Sequence, residues 1–322
     1  MLPPETIMQR LILTTMSLAA LSALLPASAD AREEWFEPAS LGMGGATRTL
    51  GGDMSAVRMN PAAMAGKATY LTGASYSFYG RERSHIFSTG GYDSQSSNLA
   101  LGTAYSVHIS TPPFDPNDGL NWYSPDDVLL DTSTTHRWEV SAAYALLDRR
   151  INFGLGVRIL RHNYALRANT MRFTMDTGIT LWPAKVIGIG VSLQNFIPTT
   201  DDNFPTRLNS GLAVSIPQIV DIAADAVIDL TTGAKPKVDV HGGINFKALQ
   251  LVLIRAGYYG DGGFKDNYVT WGLGLEIPTP RIKIKIDYAM RIEVGPMDGA
   301  LRDDRDEGWQ RIWNSVGFNL GF

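Results

Sequence analysis

The chain has 322 residues, 44% of them hydrophobic and 19% charged, with a formal net charge of −4 and no cysteine. That balance leaves no basic surface for nucleic acid, and the missing thiols exclude a disulfide framework, a thiolate metal site and a lipidated N-terminal cysteine. The length suits one large β domain or two small ones, and ordinary hydrophobic content does not speak against a membrane barrel, whose strands alternate apolar with polar residues.

Residues 1–31 read as a secretory signal peptide. Arg10 precedes an apolar run over residues 11–25, followed by Pro26 and the small-residue patterns Ala27-Ser28-Ala29 and Ala29-Asp30-Ala31. The run is too short for a helix that spans a bilayer, which needs roughly 20 apolar residues. No later run approaches that length, so the mature chain is expected outside the cytoplasm with no transmembrane helix.

The most distinctive internal stretch is residues 41–66, LGMGGATRTLGGDMSAVRMNPAAMAG. Gly42, Gly44 and Gly45 permit positive φ and close backbone approach. Asp53 is placed to cap a short helix ending at Met59. Asn60 is placed to cap a second, with Pro61 at its first position, Ala62 next and Gly66 just past its end. A nucleotide-binding loop is a poor fit, since no strand precedes the glycines and no lysine follows in Walker spacing.

G-x-G-G-A followed by D-x-S-A-V-x-x-N-P-A, just after a signal peptide, resembles the N-terminal plug of the FadL-like long-chain fatty acid transporters. Barrels of the PorV/PorQ type carry the same pattern. The resemblance implies an N-terminal plug over residues 32–67 and a transmembrane barrel over residues 68–322. The chain is shorter than typical fatty acid transporters.

From Tyr70 onward the sequence repeats strand, turn, strand, loop. The strongest period-two runs are 70–78, 99–107, 138–146, 151–159, 173–181, 187–193, 208–216, 222–230, 238–246, 251–259, 269–277 and 282–290, plus a closing strand that ends at Phe322. Their lengths lie near the 9–11 residues a tilted membrane strand needs. In the closing strand Ile312, Val316, Phe318, Leu320 and Phe322 share one parity, and Ser315, Gly317, Asn319 and Gly321 the other, with Trp313 and Asn314 off pattern. An aromatic C-terminus on such a strand resembles the closing strand of bacterial outer-membrane barrels.

Short connections at 148–150, 183–185, 217–219, 247–249 and 278–280 alternate with longer polar ones. Outer-membrane barrels place short turns in the periplasm and long loops outside. Counting back from Phe322 leaves one return strand missing, and the weak segment 83–90 fills it. The expected fold is all-β: an antiparallel transmembrane β-barrel of 14 strands with a short helical N-terminal plug, matching the strand number of the resembled transporters.

Five histidines are scattered with no metal-ligand spacing, and no G-x-S-x-G elbow occurs, so neither enzymatic activity nor a cofactor or metal is expected. One hairpin carries Asp221, Asp225 and Asp229, then Lys237, Asp239 and His241, on the parity expected to face the lumen. A symmetric turn would oppose Asp229 to Lys237 and Asp225 to His241. Cross-strand charge pairing inside a lumen accounts for this pattern better than proton transfer or metal binding. Arg158, Lys283, Lys285, Asp287, Glu276 and Gln194 are expected in the same interior, and a lumen-facing Gly102 is expected to admit a bend in the wall. The acidic stretch 298–307 reads as a solvated loop.

The expectation is a monomer in the outer membrane of a Gram-negative cell, among outer-membrane lipid and lipopolysaccharide. The resemblance implies passage of a small hydrophobic, fatty-acid-like ligand. Its alternative is a PorV-type barrel that binds or anchors secreted proteins. An apolar path beside the plug would favour the first, and a lumen shut by charges the second.

Overall fold

The computed structural model describes residues 35–79, 84–110, 133–164, 169–198, 204–231, 236–248, 251–261, 266–279, 282–294 and 312–322. The expected signal peptide and the acidic stretch 298–307 lie outside them. Two short α-helices come first, α1 (Pro38–Gly42) and α2 (Ser55–Met59), then a 3-10 helix (Pro61–Gly66). The strands follow: β1 (Tyr70–Tyr79), β2 (Ser84–Asp93), β3 (Leu99–Ser110), β4 (Ser133–Leu146), β5 (Ile151–Tyr164), β6 (Thr170–Ala184) and β7 (Ile187–Gln194). The second half comprises β8 (Arg207–Ile216), β9 (Val220–Asp229), β10 (Lys237–Ala248), β11 (Val252–Asp261), β12 (Asp266–Pro278), β13 (Lys283–Glu293) and β14 (Ile312–Gly321).

Each strand pairs antiparallel with its sequence neighbours, and β14 returns to pair with β1, closing a 14-stranded barrel. Closure leaves no edge whose backbone groups lack partners. The ladder from β1 to β14 runs from Leu71 opposite Gly321 to Tyr79 opposite Trp313. Tyr70 also exchanges backbone bonds with Phe322, so the last residue is stitched into the seam. The connections β2–β3, β4–β5, β6–β7, β8–β9, β10–β11 and β12–β13 share one end, the short-turn end; the other is the long-loop end.

Alternation then decides facing. On β14 Val316 and Phe318 are 46% and 45% exposed, whereas Trp313 and Ser315 are each 2% exposed. On β4 Trp138, Val140, Tyr144 and Leu146 are exposed while Glu139, Ser141, Ala143 and Ala145 are buried. The outer surface is therefore a continuous apolar belt, which water would penalise and lipid accepts. Among the described residues no helix is long and apolar enough to cross a membrane. The closed ladder and its apolar outer belt make the fold a transmembrane β-barrel.

Several local expectations need correction. The missing return strand is Ser84–Asp93, starting one residue later and running three further than read. Asp53 does not occupy the capping position of α2, which is Met54; its Oδ1 accepts the backbone N–H of Ser55 at 3.0 Å instead. Asn60 does cap the next element, accepting the N–H of Ala62 at 3.2 Å, but that element is a 3-10 helix with Gly66 as its last residue. Gly44 and Gly45 have positive φ of 65° and 82°, joined by Gly51 and Gly52, whereas Gly42 ends α1 in ordinary geometry. At Gly102 the ladder passes to Tyr92 and Ser141 without a register shift, so no bulge marks it. A Cβ there would meet Met64 Sδ at 2.8 Å, so close approach accounts for the glycine.

Candidate functional site

The N-terminal residues from Phe36 to Leu50, and both helices that follow, are almost wholly buried, and what buries them is the inner wall of the barrel. Glycines mark where the segment touches the wall. A Cβ on Gly154 of β5 would lie 2.2 Å from the backbone N of Ala62. One on Gly257 of β11 would lie 2.3 Å from that of Gly44, and one on Gly178 of β6 2.0 Å from Asn60 Oδ1. The segment thus crosses the lumen from β11 to β5. The motif residues of the sequence reading lie on this crossing: Gly42 against Gly272, Gly44 against Tyr258, Gly45 against His241 and Phe36, and Pro61 and Ala62 against Gly154 and Gly156.

Short helices leave most of their carbonyls without intrahelical partners. In α2 the barrel wall supplies the donors. Ser141 Oγ donates to Val57 O at 3.0 Å, Arg158 Nη2 and Gln194 Nε2 to Arg58 O at 2.9 Å each, and Ser192 Oγ to Met59 O at 3.0 Å. Asn60 completes the exit by donating Nδ2 to Arg48 O at 2.9 Å. At the short-turn end, Arg149 Nη1 donates to Ala65 O at 2.9 Å, from a turn whose Leu147, Asp148 and Arg149 all have positive φ.

One carboxylate organises the β4–β6 side. Glu139 Oε1 meets Arg137 Nη2 at 2.6 Å and Arg158 Nε at 2.8 Å, and its Oε2 meets Arg58 Nε at 3.0 Å. Arg58 also holds Glu37 at 2.6 Å, and Arg158 holds Asp176 at 2.6 Å. Three guanidiniums therefore face three carboxylates, all buried, and the charges balance. Such a network holds only while complete, because removing one member leaves a desolvated charge without its partner. Sequence reading named Arg158 but missed Glu139, Arg58, Arg137, Glu37 and Asp176. The available signal was Arg137 with Glu139 on β4, and Asp176 on β6, each on the lumen parity of its strand.

The charged hairpin lies across the lumen. Asp229 is opposite Lys237 and Asp225 opposite His241 in register, all buried. Each residue also serves the segment or the rim. Asp225 Oδ2 takes the backbone N–H of Arg48 at 3.1 Å and its Nη1 at 3.4 Å, and His241 Nδ1 lies 2.7 Å from Gly44 O. Asp221 holds Lys247 at 2.8 Å near the short-turn end. Lys285 lies 3.3 Å from Asp287, which also meets Arg255 at 2.8 Å. Lys283 has the inward parity but sits at the short-turn rim, its side chain 66% exposed beside Glu276, so it does not belong to the buried interior. Within the segment, burial pushes the Asp53 carboxyl above its ordinary range, opposed by Lys285 and by hydrogen bonds from Ser40 and Ser55.

The remaining side of the lumen holds two apolar clusters among buried serines. Towards the short-turn end Met54, Val57 and Met64 meet Leu71, Tyr92, Ala100, Ala104, Ala143 and Ala145. Towards the long-loop end Phe36, Leu41 and Met59 meet Tyr79, Ile86, Ala289 and Trp313. The two clusters stack along β14 and β1–β4, where the wall is built of small residues and rings. Arg291 closes the upper cluster, its guanidinium 4.5 Å from the ring centres of both Trp313 and Tyr268.

No protein-family model matches this chain, and no curated protein matches its sequence. Solved structures do match in shape. The Ralstonia pickettii toluene transporter TbuX aligns at TM-score 0.62 and 13% identity over 89% of this chain and 97% of its own. The Pseudomonas putida toluene transporter TodX aligns at 0.62 and 11%, covering 91% and 99%. A Pseudomonas aeruginosa FadL homologue aligns at 0.58 and 11%, with the same two coverages of 91% and 99%. The chain has the fold of the FadL-like outer-membrane barrels.

Proposed function

We propose that this protein is an outer-membrane channel for small hydrophobic compounds, with residues 35–66 as its internal plug. The observation that carries the reading is the two-sided lumen. Ion pairs and a dense set of hydrogen bonds fasten the segment to β4–β12. Along β14 and β1–β4 two apolar clusters of rings, methionines and alanines meet it, crossed by few polar contacts such as those of Arg58 with Ser88 and with Tyr105 O. Apolar contacts are non-directional and repack at small cost, so a hydrophobic solute can replace them in passing where it could not replace a buried ion pair. The similar structures described as a FadL homologue and as toluene transporters support the same class of cargo.

The test is uptake of toluene and of a long-chain fatty acid by cells expressing the intact chain. Expression should raise uptake of at least one of them. Ala143→Phe, which places a ring in the alanine-lined seam, should lower that uptake several-fold in barrels that still run heat-modifiable on gels. Arg48→Met, on the fastened side, should leave it nearer the parent value. Unchanged uptake of both probes on expression would reject the channel reading. The charge network that closes the other side supports a second reading, a barrel that binds secreted proteins, and co-isolation of surface proteins with an uptake-inactive barrel would favour it.

A further inference from the structure

Outward-facing charge is scarce on this barrel. Among the described strand residues Arg161 of β5 is the one basic side chain on the outward parity, and it is exposed. Its backbone partner on β4 is His136, also outward, so the two side chains are direct cross-strand neighbours. Arg161 Nε donates to Asn163 Oδ1 at 3.0 Å, which steers the guanidinium along the wall and leaves its two terminal nitrogens for another acceptor. His136 is held on the other flank: its Nδ1 lies 2.8 Å from Tyr105 Oη, and its ring lies nearly parallel to Trp138, centroids 5.7 Å apart at 14°. With the tyrosine donating to Nδ1, the imidazole keeps its proton on Nε2, aimed away from the wall.

The same arrangement occurs two strands earlier. Tyr76 opposes Phe87 as Tyr105 opposes Trp138, and in each case a histidine two positions before the second ring meets the tyrosine hydroxyl at 2.8 Å. No Asp or Glu has the outward parity on β3–β6 among the described residues. Height is informative too. Ten residues of strand separate Ile151 from Arg161, about 25 Å along the barrel axis at a tilt near 40°, which is the height of the apolar band of such barrels. Below Arg161, Phe153, Leu155, Val157 and Ile159 fill the outward positions with apolar side chains. Near the long-loop end of β10 and β12–β14, Val238, Val240, Val269, Ile292 and Ile312 take the outward parity with no cation among them. An aromatic girdle alone would encircle the barrel; the one outward guanidinium, beside a Tyr–His pair, marks a place.

We propose that the outward face of β3–β5 below the long-loop rim, centred on Arg161 and His136, binds the phosphate of a membrane lipid headgroup. Tyr105 and Trp138 border the upper acyl chains. The proposal rests on the membrane-barrel reading above. Arg161 supplies a fixed fork of donors suited to phosphate oxygens and His136 a further N–H, both at the level where headgroup phosphates begin.

The test uses the full chain in nanodiscs of phosphatidylcholine doped with phosphatidic acid, followed by detergent release and counting of retained lipids by native mass spectrometry. Phosphatidic acid should be retained in preference to phosphatidylcholine. Arg161→Gln should lower that preference about fivefold, the effect of one cation at an anionic surface. Adding His136→Gln should abolish it, while Leu208→Gln on β8 should leave it intact. Equal retention by parent and double variant, in barrels that insert and remain heat-modifiable, would overturn this inference alone. Release of the retained lipid by inorganic phosphate at matched concentration would make the site one for a free anion, and would also overturn it. A chain that fails to enter the nanodisc would reject the membrane barrel and this site together.

Discussion

The two sides of the lumen hold the same segment by opposite means. On the β4–β7 side, Glu139 gathers Arg58, Arg137 and Arg158 within 3.0 Å, and four wall side chains satisfy the last carbonyls of α2. On the β14 and β1–β4 side, Met54, Val57, Met64 and Leu41 pack into clusters of alanines, rings and a few aliphatic groups. The difference is one of kind. Buried polar contacts are costly to leave half made, so they define one position for the segment. Apolar contacts lose little when exchanged for other apolar contacts, so they leave room for passage.

The comparison breaks most severely at Glu139. Its near-isosteric replacement Glu139→Gln leaves three buried guanidiniums facing two carboxylates, and should cost about 3–5 kcal/mol in unfolding free energy. Urea denaturation in detergent measures it; a loss under 1 kcal/mol, the value of an exposed pair, would mean that water reaches the network. Adding Arg58→Met should recover part of the loss, because one uncompensated charge leaves with it.

A pair of glycines contrasts the two sides by sterics. Gly154→Ala drives a methyl into the backbone of Pro61 and Ala62, 2.2 Å from the Ala62 N, and should cost about 3 kcal/mol or more. Gly102→Ala meets Met64 Sδ and Tyr92 Cβ at 2.8 Å; the flexible thioether can swing aside whereas Tyr92 Cβ must shift with its strand, so about 2 kcal/mol is expected. Thermal unfolding of both variants decides this, and equal destabilisation would show that the alanine-lined side is as rigid as the other.

A double-mutant cycle on Arg48 and Asp225 should give a smaller coupling of about 1–3 kcal/mol. The Nη1–Oδ2 contact is 3.4 Å, and Asp225 keeps the Arg48 backbone N–H after the side chain is gone. Additive single effects would remove this anchor from the fastened side. The smallest effect belongs to Met64→Leu. A volume-conserving exchange in the seam should cost less than about 1.5 kcal/mol and leave uptake near the parent level.

Much of the fold was open to sequence reasoning, because period two and loop length are local properties. Ile284, Phe318 and Val316 against Lys285, Asn319 and Ser315 state the two faces before any neighbour is known. Parity alone asked for a return strand before Leu99, and β2 stands there. The motif residues Gly44, Gly45, Asn60 and Pro61 were legible for the same reason, each answering to its own φ or to its immediate neighbours. The opposition of Asp229 to Lys237 and of Asp225 to His241 followed from counting around one turn.

What remained hidden depends on residues far apart in the chain. Nothing local to Arg58 announces that Glu139 and Glu37 await it, or that Arg158 and Gln194 will satisfy its carbonyl. Gly102 shows the limit: read alone it is a flexible point in a strand, and only the arrival of Met64 and Val57 shows it as clearance. Lys283 and Lys285 share a parity, yet height in the barrel separates an exposed rim lysine from one beside buried Asp287. Alternation determines which face a side chain takes. Closure of the ladder and the path of residues 35–66 across the lumen decide what it meets there, because those contacts form only once strands distant in sequence share one ring.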